Sequence, residues 1–335
     1  MKMILTGDFH CKDGIYVNIC TDYIDYLTIY AKKNGIKTII ILGDILDKAS
    51  KIHYATFVPL FNKLKEVKDA GFDLYFIVGN HEMYTDRGDT IIETFSPFGA
   101  VIKKAEEFEF DGVKINMCPY TLDRADVPTV DADYLFTHLP IDEFSFDNGM
   151  EIKDKSSFEP SFFSNYKKVY TGHYHRRQKK YNIEYVGSPY QLSFGEAGDT
   201  NKGFTVFESS TGNEEFVKYT GAPTYYQIDY DTLVNEGVDP ELVKNAFIKI
   251  DINKKIENFS KLRNTLYKAG AIEISPNFKP SVEIDEEDSK VRVEMDKSIE
   301  VMLYDFVKTK GFYYGKEKLD NEKMMDMLKE IQSEL

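Results

Sequence analysis

A chain of 335 residues, 42% of them hydrophobic, can bury one large core with a smaller unit beside it. A net charge of −14 excludes a protein that coats nucleic acid with its whole surface, since that mode relies on many Lys and Arg neutralising phosphates. Cys11, Cys20 and Cys118 form no C-x-x-C pair and suggest neither a disulfide framework nor structural zinc, and no stretch approaches the roughly 20 apolar residues of a spanning helix, so no membrane role and a cytoplasmic location are expected.

Up to about residue 220, β-rich apolar runs alternate with helical patterns, which indicates an α/β fold. The runs 3–8, 38–44 and 74–80 each end in a polar cluster, and 134–138 and 168–173 repeat the design. All five read as buried strands. Between the first two, Ile19, Tyr23, Leu27 and Tyr30 fall at helical spacing before Asn34-Gly35; between the second and third, Phe57, Leu60, Phe61, Leu64 and Val67 do so before Gly71. Helical crossovers imply parallel pairing, so the strands present their C-terminal ends along one edge, where open α/β sheets bind ligands.

Those ends deliver Asp8 and His10, Asp44, Asn80 and His81, His138, and His173 and His175. A lone histidine at a strand end is more often structural than not, but this conjunction is hard to obtain by coincidence. Carboxylate, amide and imidazole without thiolate suit Mn²⁺ first, with Fe or Zn behind it and Mg²⁺ disfavoured by so much imidazole. The donors are too many for one ion. Two ions about 3.5 to 4 Å apart, bridged by a carboxylate, are the arrangement expected for phosphoester hydrolysis.

The motifs Asp-x-His (8–10), Gly-Asp (43–44), Gly-Asn-His (79–81), the solitary His138 and Gly-His-x-His (172–175) resemble those of the calcineurin-like metallophosphoesterase superfamily. Their order, with the run Val-Gly-Ser-Pro-Tyr-Gln-Leu-Ser-Phe-Gly-Glu at 186–196, resembles SbcD and meiotic recombination eleven type nuclease subunits. The chain length is similar to that of bacteriophage recombination endonuclease subunits. The resemblance implies a four-layer αββα sandwich of two mixed sheets, a small α+β capping domain and a C-terminal helical partner-binding segment. It assigns Asp8, His10, Asp44 and His175 to one Mn²⁺, Asp44, Asn80, His138 and His173 to the other, and His81 to the leaving oxygen as the catalytic histidine that is not a ligand. It further implies 3′ to 5′ exonuclease activity on duplex DNA, endonuclease activity on single strands, action at DNA ends in double-strand-break repair, and dimerisation through the phosphoesterase domain. The alternatives are a phosphomonoesterase or cyclic-nucleotide phosphodiesterase, which Glu82 favours slightly because protein phosphatases spell this motif Gly-Asn-His-Glu, and a catalytically weak DNA-end scaffold.

Several further residues carry a role and a bland reading side by side. Asp47 either orients a ligand histidine or is a solvated loop carboxylate. His53 either approaches substrate or sits on the surface where a helix begins. Arg176, Arg177, Lys179 and Lys180, directly after the last histidine motif, either grip DNA phosphates or form a solvated hairpin.

Residues 1–222 thus read as the nuclease domain and 223–282 as the DNA-capping domain, with a strand at 247–252, a helix carrying Phe259, Leu262 and Leu266, and a strand at 271–274. Residues 283–295 are an acidic linker or last cap strand. Within 296–335, Ile299, Leu303, Phe306 and Val307, then Met324, Met327, Leu328 and Ile331, mark two amphipathic helices. They either dock on a partner, which the resemblance names as an SbcC-like ABC-type ATPase, or pack back on their own domain.

Overall fold

A computed structural model describes residues 1–48, 52–83, 89–128, 132–145, 158–254 and 259–278, and the backbone of 313–314 and 317–318. The chain divides into two compact units, Met1–Pro280 and Ser281–Leu335.

The first unit begins β1 (Lys2–Thr6), α1 (Ile15–Lys33), β2 (Thr38–Ile41), α2 (Tyr54–Asp69), β3 (Asp73–Ile77) and β4 (Gly99–Ile102). Next come β5 (Glu106–Phe110), β6 (Val113–Cys118), β7 (Tyr134–Thr137), β8 (Lys168–Thr171), β9 (Gln178–Lys180), β10 (Ile183–Tyr185), β11 (Gly203–Glu208) and β12 (Glu214–Lys218). They form two six-stranded mixed sheets, ordered β12-β11-β1-β2-β3-β4 and β5-β6-β7-β8-β10-β9. In the first, β1 through β4 are parallel, and β11 runs antiparallel to both of its neighbours, β1 and β12. In the second, β6, β7, β8 and β10 are parallel, edged by antiparallel β5 and β9. The five polar-ended strands are therefore divided between two sheets, three in one and two in the other, as the sandwich of two mixed sheets implies and not along the single edge that the crossover pattern by itself suggests.

Alternation along the strands explains why both faces are apolar. Leu5, Ile40, Leu42, Ile77 and Phe207 point inward and meet Met117, Phe136 and Tyr170 in the layer between the sheets. Removing the fully buried Phe136 side chain from this layer would cost about 3–5 kcal/mol. Ile4, Ile39, Ile41 and Phe76 point the other way, onto α1 and α2. The helices present matching stripes, Ile19, Tyr23, Ile24, Leu27 and Ala31 from α1, and Leu60, Leu64 and Val67 from α2. Both stop where the sequence indicates: Asn34 donates its side-chain amide to Tyr30 O at 2.9 Å, and Gly35 and Gly71 take φ values of 66° and 88°. The outer face of the second sheet is covered differently. Leu139, Ile141, Phe144, Phe158 and Phe163, from irregular segments and a short 3₁₀ turn, pack on Leu135, Val169, Ile183 and Tyr185. Among the described residues no long helix forms this layer.

Residues 224–278 build a third sheet, β13 (Thr224–Asp229), β14 (Ala246–Ile252) and β15 (Glu273–Phe278), all parallel, with α3 (Tyr230–Asn235), α4 (Pro240–Val243) and α5 (Phe259–Lys268) between them. Its core is Leu233, Val243, Ile248, Ile250, Leu266 and Ile274. Phe247, out of phase with the isoleucines, stacks on Tyr16 and Tyr225 and joins the body's core. The second unit shows β16 (Tyr313–Tyr314) paired antiparallel with β17 (Glu317–Lys318), between the two expected helices. The acidic segment and both helical stripes lie outside the described residues.

Candidate metal centre

Strand register brings the polar residues together. Thr6, Ile41 and Phe76 lie side by side across β1, β2 and β3, as do Cys118, Thr137 and Thr171 across β6, β7 and β8. The residues one to five positions beyond these points converge. The loops are tied directly: Asp8 N–H donates to Gly43 O and His10 N–H to Asp44 O, each at 3.0 Å. Asp8, His10, Asp44 and His173 all have positive φ, a strained state for side-chain-bearing residues that concentrates here. Gly79 leaves room for the carboxylate, because a Cβ there would land on Asp44 Oδ1; a Cβ on Gly43 would lie 2.7 Å from His138 Cγ.

Three overlapping donor groups result. Asp8, His10 and His175 form one, His10, Asp44 and His81 the next, and Asp44, His138 and His173 the third; within each, one donor atom per residue lies within 4.8 Å of the others. Asn80 joins the third, its Oδ1 2.8 Å from His173 Nδ1 and 3.0 Å from His138 Nε2. Asp44 sits between the ends, its Oδ2 3.2 Å from His138 Nε2 and 3.6 Å from His10 Nε2. At the other end, His175 Nε2 is 3.0 Å from His10 Nε2.

The arrangement fits divalent cations on its own terms. Asp8 accepts His173 N–H at 2.9 Å through Oδ1, while its buried Oδ2 has no hydrogen-bond partner, an acceptor left for a positive charge. Burial raises the Asp8 carboxyl to about 6, opposed by His138 and His175. Burial would also raise Asp44, but His138, His10 and His81 hold it well below the usual carboxylate range. Burial depresses His10 strongly and takes His173 down to about 3, keeping both imidazoles neutral with a lone pair to give. His138, despite burial, is pushed up to about 9 by Asp44 and Asp8, so a cation bound there displaces a proton.

Supporting contacts set the rings. His138 Nδ1 donates to Leu42 O at 2.6 Å, and His81 Nδ1 donates to the Asp47 carbonyl. The His81 ring stands edge-on to His10, centroids 4.5 Å apart. The Asp47 carboxylate is 3.7 Å from His10 Nδ1, near the ring but beyond hydrogen-bond length.

Three side chains given no role by the motifs hold this frame. Glu82, fully buried, accepts the N–H groups of Gly79 at 2.8 Å and of Asp44 and Leu46 at 3.0 Å, clamping two ligand loops. Burial and then Asp44 push its carboxyl up to about 8, against the Leu46 and Gly79 N–H groups. Its residue type was legible as a phosphatase spelling, but its side chain is turned into backbone. Glu196 and Lys202 stand behind His175; the first closes the 186–196 run, while nothing in the sequence marks a buried lysine.

The outlying candidates separate. His53 caps α2 and pairs with Asp13 at 3.2 Å, half exposed, on a cavity that also takes in Lys12, Asp47 and Lys48. Arg177 is held by Glu184 and Thr205 over the Phe216 ring, and Lys179 by Glu214 at 2.7 Å. Lys180 donates to the Glu143 carbonyl. Arg176 is exposed.

Residues 1–187, more than half of the chain, match the calcineurin-like phosphoesterase family. Over 323 residues the chain is 26% identical to exonuclease subunit 1 of Enterobacteria phage T4, covering 92% of each. Solved structures that it resembles include a dimetal phosphatase from Danio rerio, at 12% identity over 62% of this chain and 91% of that one with a TM-score of 0.39. Another is the nuclease MPE of Pseudomonas putida, at 17% identity over 52% and 62% with a TM-score of 0.30. No helix among the described residues is long and apolar enough to cross a membrane. With its donors gathered where two sheets end, the chain belongs to the calcineurin-like phosphoesterase family, whose members hydrolyse phosphate esters at a dinuclear metal site.

Proposed function

We propose that the chain is the manganese-dependent nuclease subunit of a DNA recombination and repair complex, degrading duplex ends 3′ to 5′ and cutting single strands. The observation that carries this reading is the extent of the likeness to an exonuclease subunit: it runs through 92% of both chains, well past the phosphoesterase match that ends at residue 187. A generic phosphatase would share the site and diverge in the C-terminal part of the chain. Glu82 does not speak for a phosphatase, since its carboxylate faces backbone N–H groups.

In this reading Asp8, His10, Asp44 and His175 hold one cation and Asp44, Asn80, His138 and His173 the other. The pair supplies Lewis acidity, polarising the phosphoryl oxygens and lowering the pKa of water. Asp44 and Asp8 bring the negative charge that keeps both cations in place, while neutral Asn80 limits it. His81, its Nδ1–H fixed on the Asp47 carbonyl, acts in its imidazolium form, the Nε2 proton passing to the departing alkoxide and the ring returning to the neutral Nδ1–H tautomer. The sheet at 224–278 caps the site and shapes the DNA path; Arg176, exposed beside His175, is the phosphate contact of the basic cluster, because Arg177 and Lys179 are taken up by Glu184 and Glu214 and Lys180 is turned to the Glu143 carbonyl. Residues 296–335 dock on an SbcC-like ATPase.

The test is nucleotide release from free and end-blocked duplexes with Mn²⁺ or Mg²⁺, with and without the ATPase. Release from free ends that needs Mn²⁺ and vanishes in Asp44→Ala supports the reading. Hydrolysis confined to small phosphate monoesters would overturn it.

A further inference from the structure

Behind His175 lies a buried ion pair that the hydrolytic chemistry does not itself require. Glu196 and Lys202 are 2% and 4% exposed, and Lys202 Nζ donates to Glu196 Oε2 at 2.6 Å. Taking both charges out of water carries a desolvation penalty that attraction alone repays poorly. The groups around the pair indicate its use. Glu196 Oε1 lies 3.1 Å from His175 Nδ1, and Lys202 Nζ also donates to the His175 carbonyl at 2.9 Å and to Ser188 Oγ at 2.8 Å. The carboxylate accepts from the ring and the ammonium pins the backbone of the same residue. Nδ1 must then carry the proton, and Nε2 is left as the donor atom facing His10 and Asp8.

The other rings are backed differently. His138 and His81 donate Nδ1–H to the backbone carbonyls of Leu42 and Asp47, and His173 Nδ1 faces Asn80. Among the described residues, a carboxylate within hydrogen-bond length of a candidate ligand ring on the side away from the cluster is found at His175. An anionic partner makes an imidazole a stronger ligand than a neutral carbonyl does. The two ends of the centre are thus unequal by construction.

We propose that Glu196, buttressed by Lys202, is a positioning residue that makes the Asp8, His10 and His175 end the higher-affinity cation site, and that the Asn80, His138 and His173 end fills second. Resting on the two-site reading above, the inference concerns order and affinity of loading and not substrate.

The supporting structure is also tied to the cap. Gln191, from the segment between Ser188 and Glu196, accepts Tyr225 N–H at 2.6 Å and donates to Asp199 O at 2.9 Å, and the Phe194 ring meets Tyr225 edge-on at 4.9 Å. Glu196 is therefore held from the cap side as well as by Lys202, which limits how far it can move with His175 if the ring turns.

The experiment is calorimetric titration of the metal-free full chain with Mn²⁺ alone, in the absence of DNA, for the wild type, Glu196→Gln, Glu196→Asp and the double variant Glu196→Gln/Lys202→Met. The double variant removes both charges of the pair, so the buried lysine is not left with Asp199, 3.3 Å away, as its remaining counter-charge. Two binding events are expected for the wild type. In Glu196→Gln and in the double variant the tighter event should weaken by roughly 10- to 100-fold while the weaker one stays within about threefold, with circular dichroism unchanged. Glu196→Asp, which keeps the charge, should recover part of the lost affinity. Should Glu196→Gln fail to fold, the double variant decides alone. Unchanged affinities, or equal weakening of both events, would overturn the inference while leaving the two-site reading intact. A wild type that binds no Mn²⁺ would instead overturn the two-site reading itself.

Discussion

If His81 protonates the leaving oxygen, its removal has a signature that separates proton delivery from metal holding. Its Nδ1–H is committed to the Asp47 carbonyl and its backbone N–H to Asp44 Oδ1 at 3.0 Å, so His81→Ala deletes the imidazole while leaving the backbone contact that steadies Asp44. A positioned general acid is worth about 10²- to 10⁴-fold, or about 3–5 kcal/mol of activation free energy. That loss should fall on kcat for DNA, whose alkoxide leaving group needs a proton, and should nearly disappear for bis-nitrophenyl phosphate, whose phenolate departs without one. Mn²⁺ affinity should stay within about threefold, since the Asp8 and His138 ends keep all their donors. The assay is steady-state hydrolysis of both substrates by both proteins, with metal binding measured alongside. Equal losses on the two substrates, or loss of a cation, would refute the acid role and make His81 a ligand.

Asp8→Asn should reverse the usual sign of a substitution at such a site. Burial raises the Asp8 carboxyl from 3.8 to about 6, so the folded metal-free protein binds the proton more tightly than the unfolded chain and loses stability as pH rises through that window. That corresponds to about 3 kcal/mol above pH 6, and with about 1 kcal/mol returned for an unpartnered amide, thermal melts at pH 7 without metal should show a gain of about 1–2 kcal/mol. Calorimetry should show one cation site lost; a destabilised variant with both sites intact contradicts the assignment. Glu82→Ala leaves three buried N–H groups without an acceptor, at about 1–3 kcal/mol each, so unfolding in urea near pH 4.5, below the range in which the raised carboxyl itself costs stability, should show a loss of at least about 3 kcal/mol that shrinks towards neutral pH, and a loss under about 1 kcal/mol at the lower pH would mean the clamp is dispensable. Glu214 would be raised by burial, but Lys168, Lys179 and Tyr170 bring it down from 4.5 to about 2. Its contribution is present above pH 4.5 and lost as pH falls towards 2; discounted for exposure it is about 1 kcal/mol, and Glu214→Gln should flatten that part of an acid-denaturation curve.

How far the sequence could be read depends on which contacts are local. The strands that carry Asp8, Asp44, Asn80, His138 and His173 are short apolar runs with their polar residues just beyond, a pattern written in consecutive positions. The stops of α1 and α2 at Gly35 and Gly71 are equally local. The division of five strands between two sheets was not visible in any one of them, because an inward face against a second sheet and one against a helix demand the same side chains: Leu5 and Ile4 differ in destination, not in kind. β13 escaped because half of it, Thr224 and Gln227 among it, is polar, and its pairing with β14 is supplied by residues 22 positions away, as in Thr224 opposite Ala246.

The basic run at 176–180 shows the same limit where it bears on function. In the sequence its cations look equivalent and available, whereas Glu184 on the neighbouring β10 takes up Arg177, and Glu214, 35 residues beyond Lys179 on β12 of the other sheet, takes up Lys179. A charge run states how many cations a segment holds. Their availability for phosphate depends on partners that only the fold brings near: Arg177 and Lys179 are withdrawn by carboxylates and Lys180 is turned to the Glu143 carbonyl, so substitution of the exposed Arg176 should change the salt dependence of DNA binding.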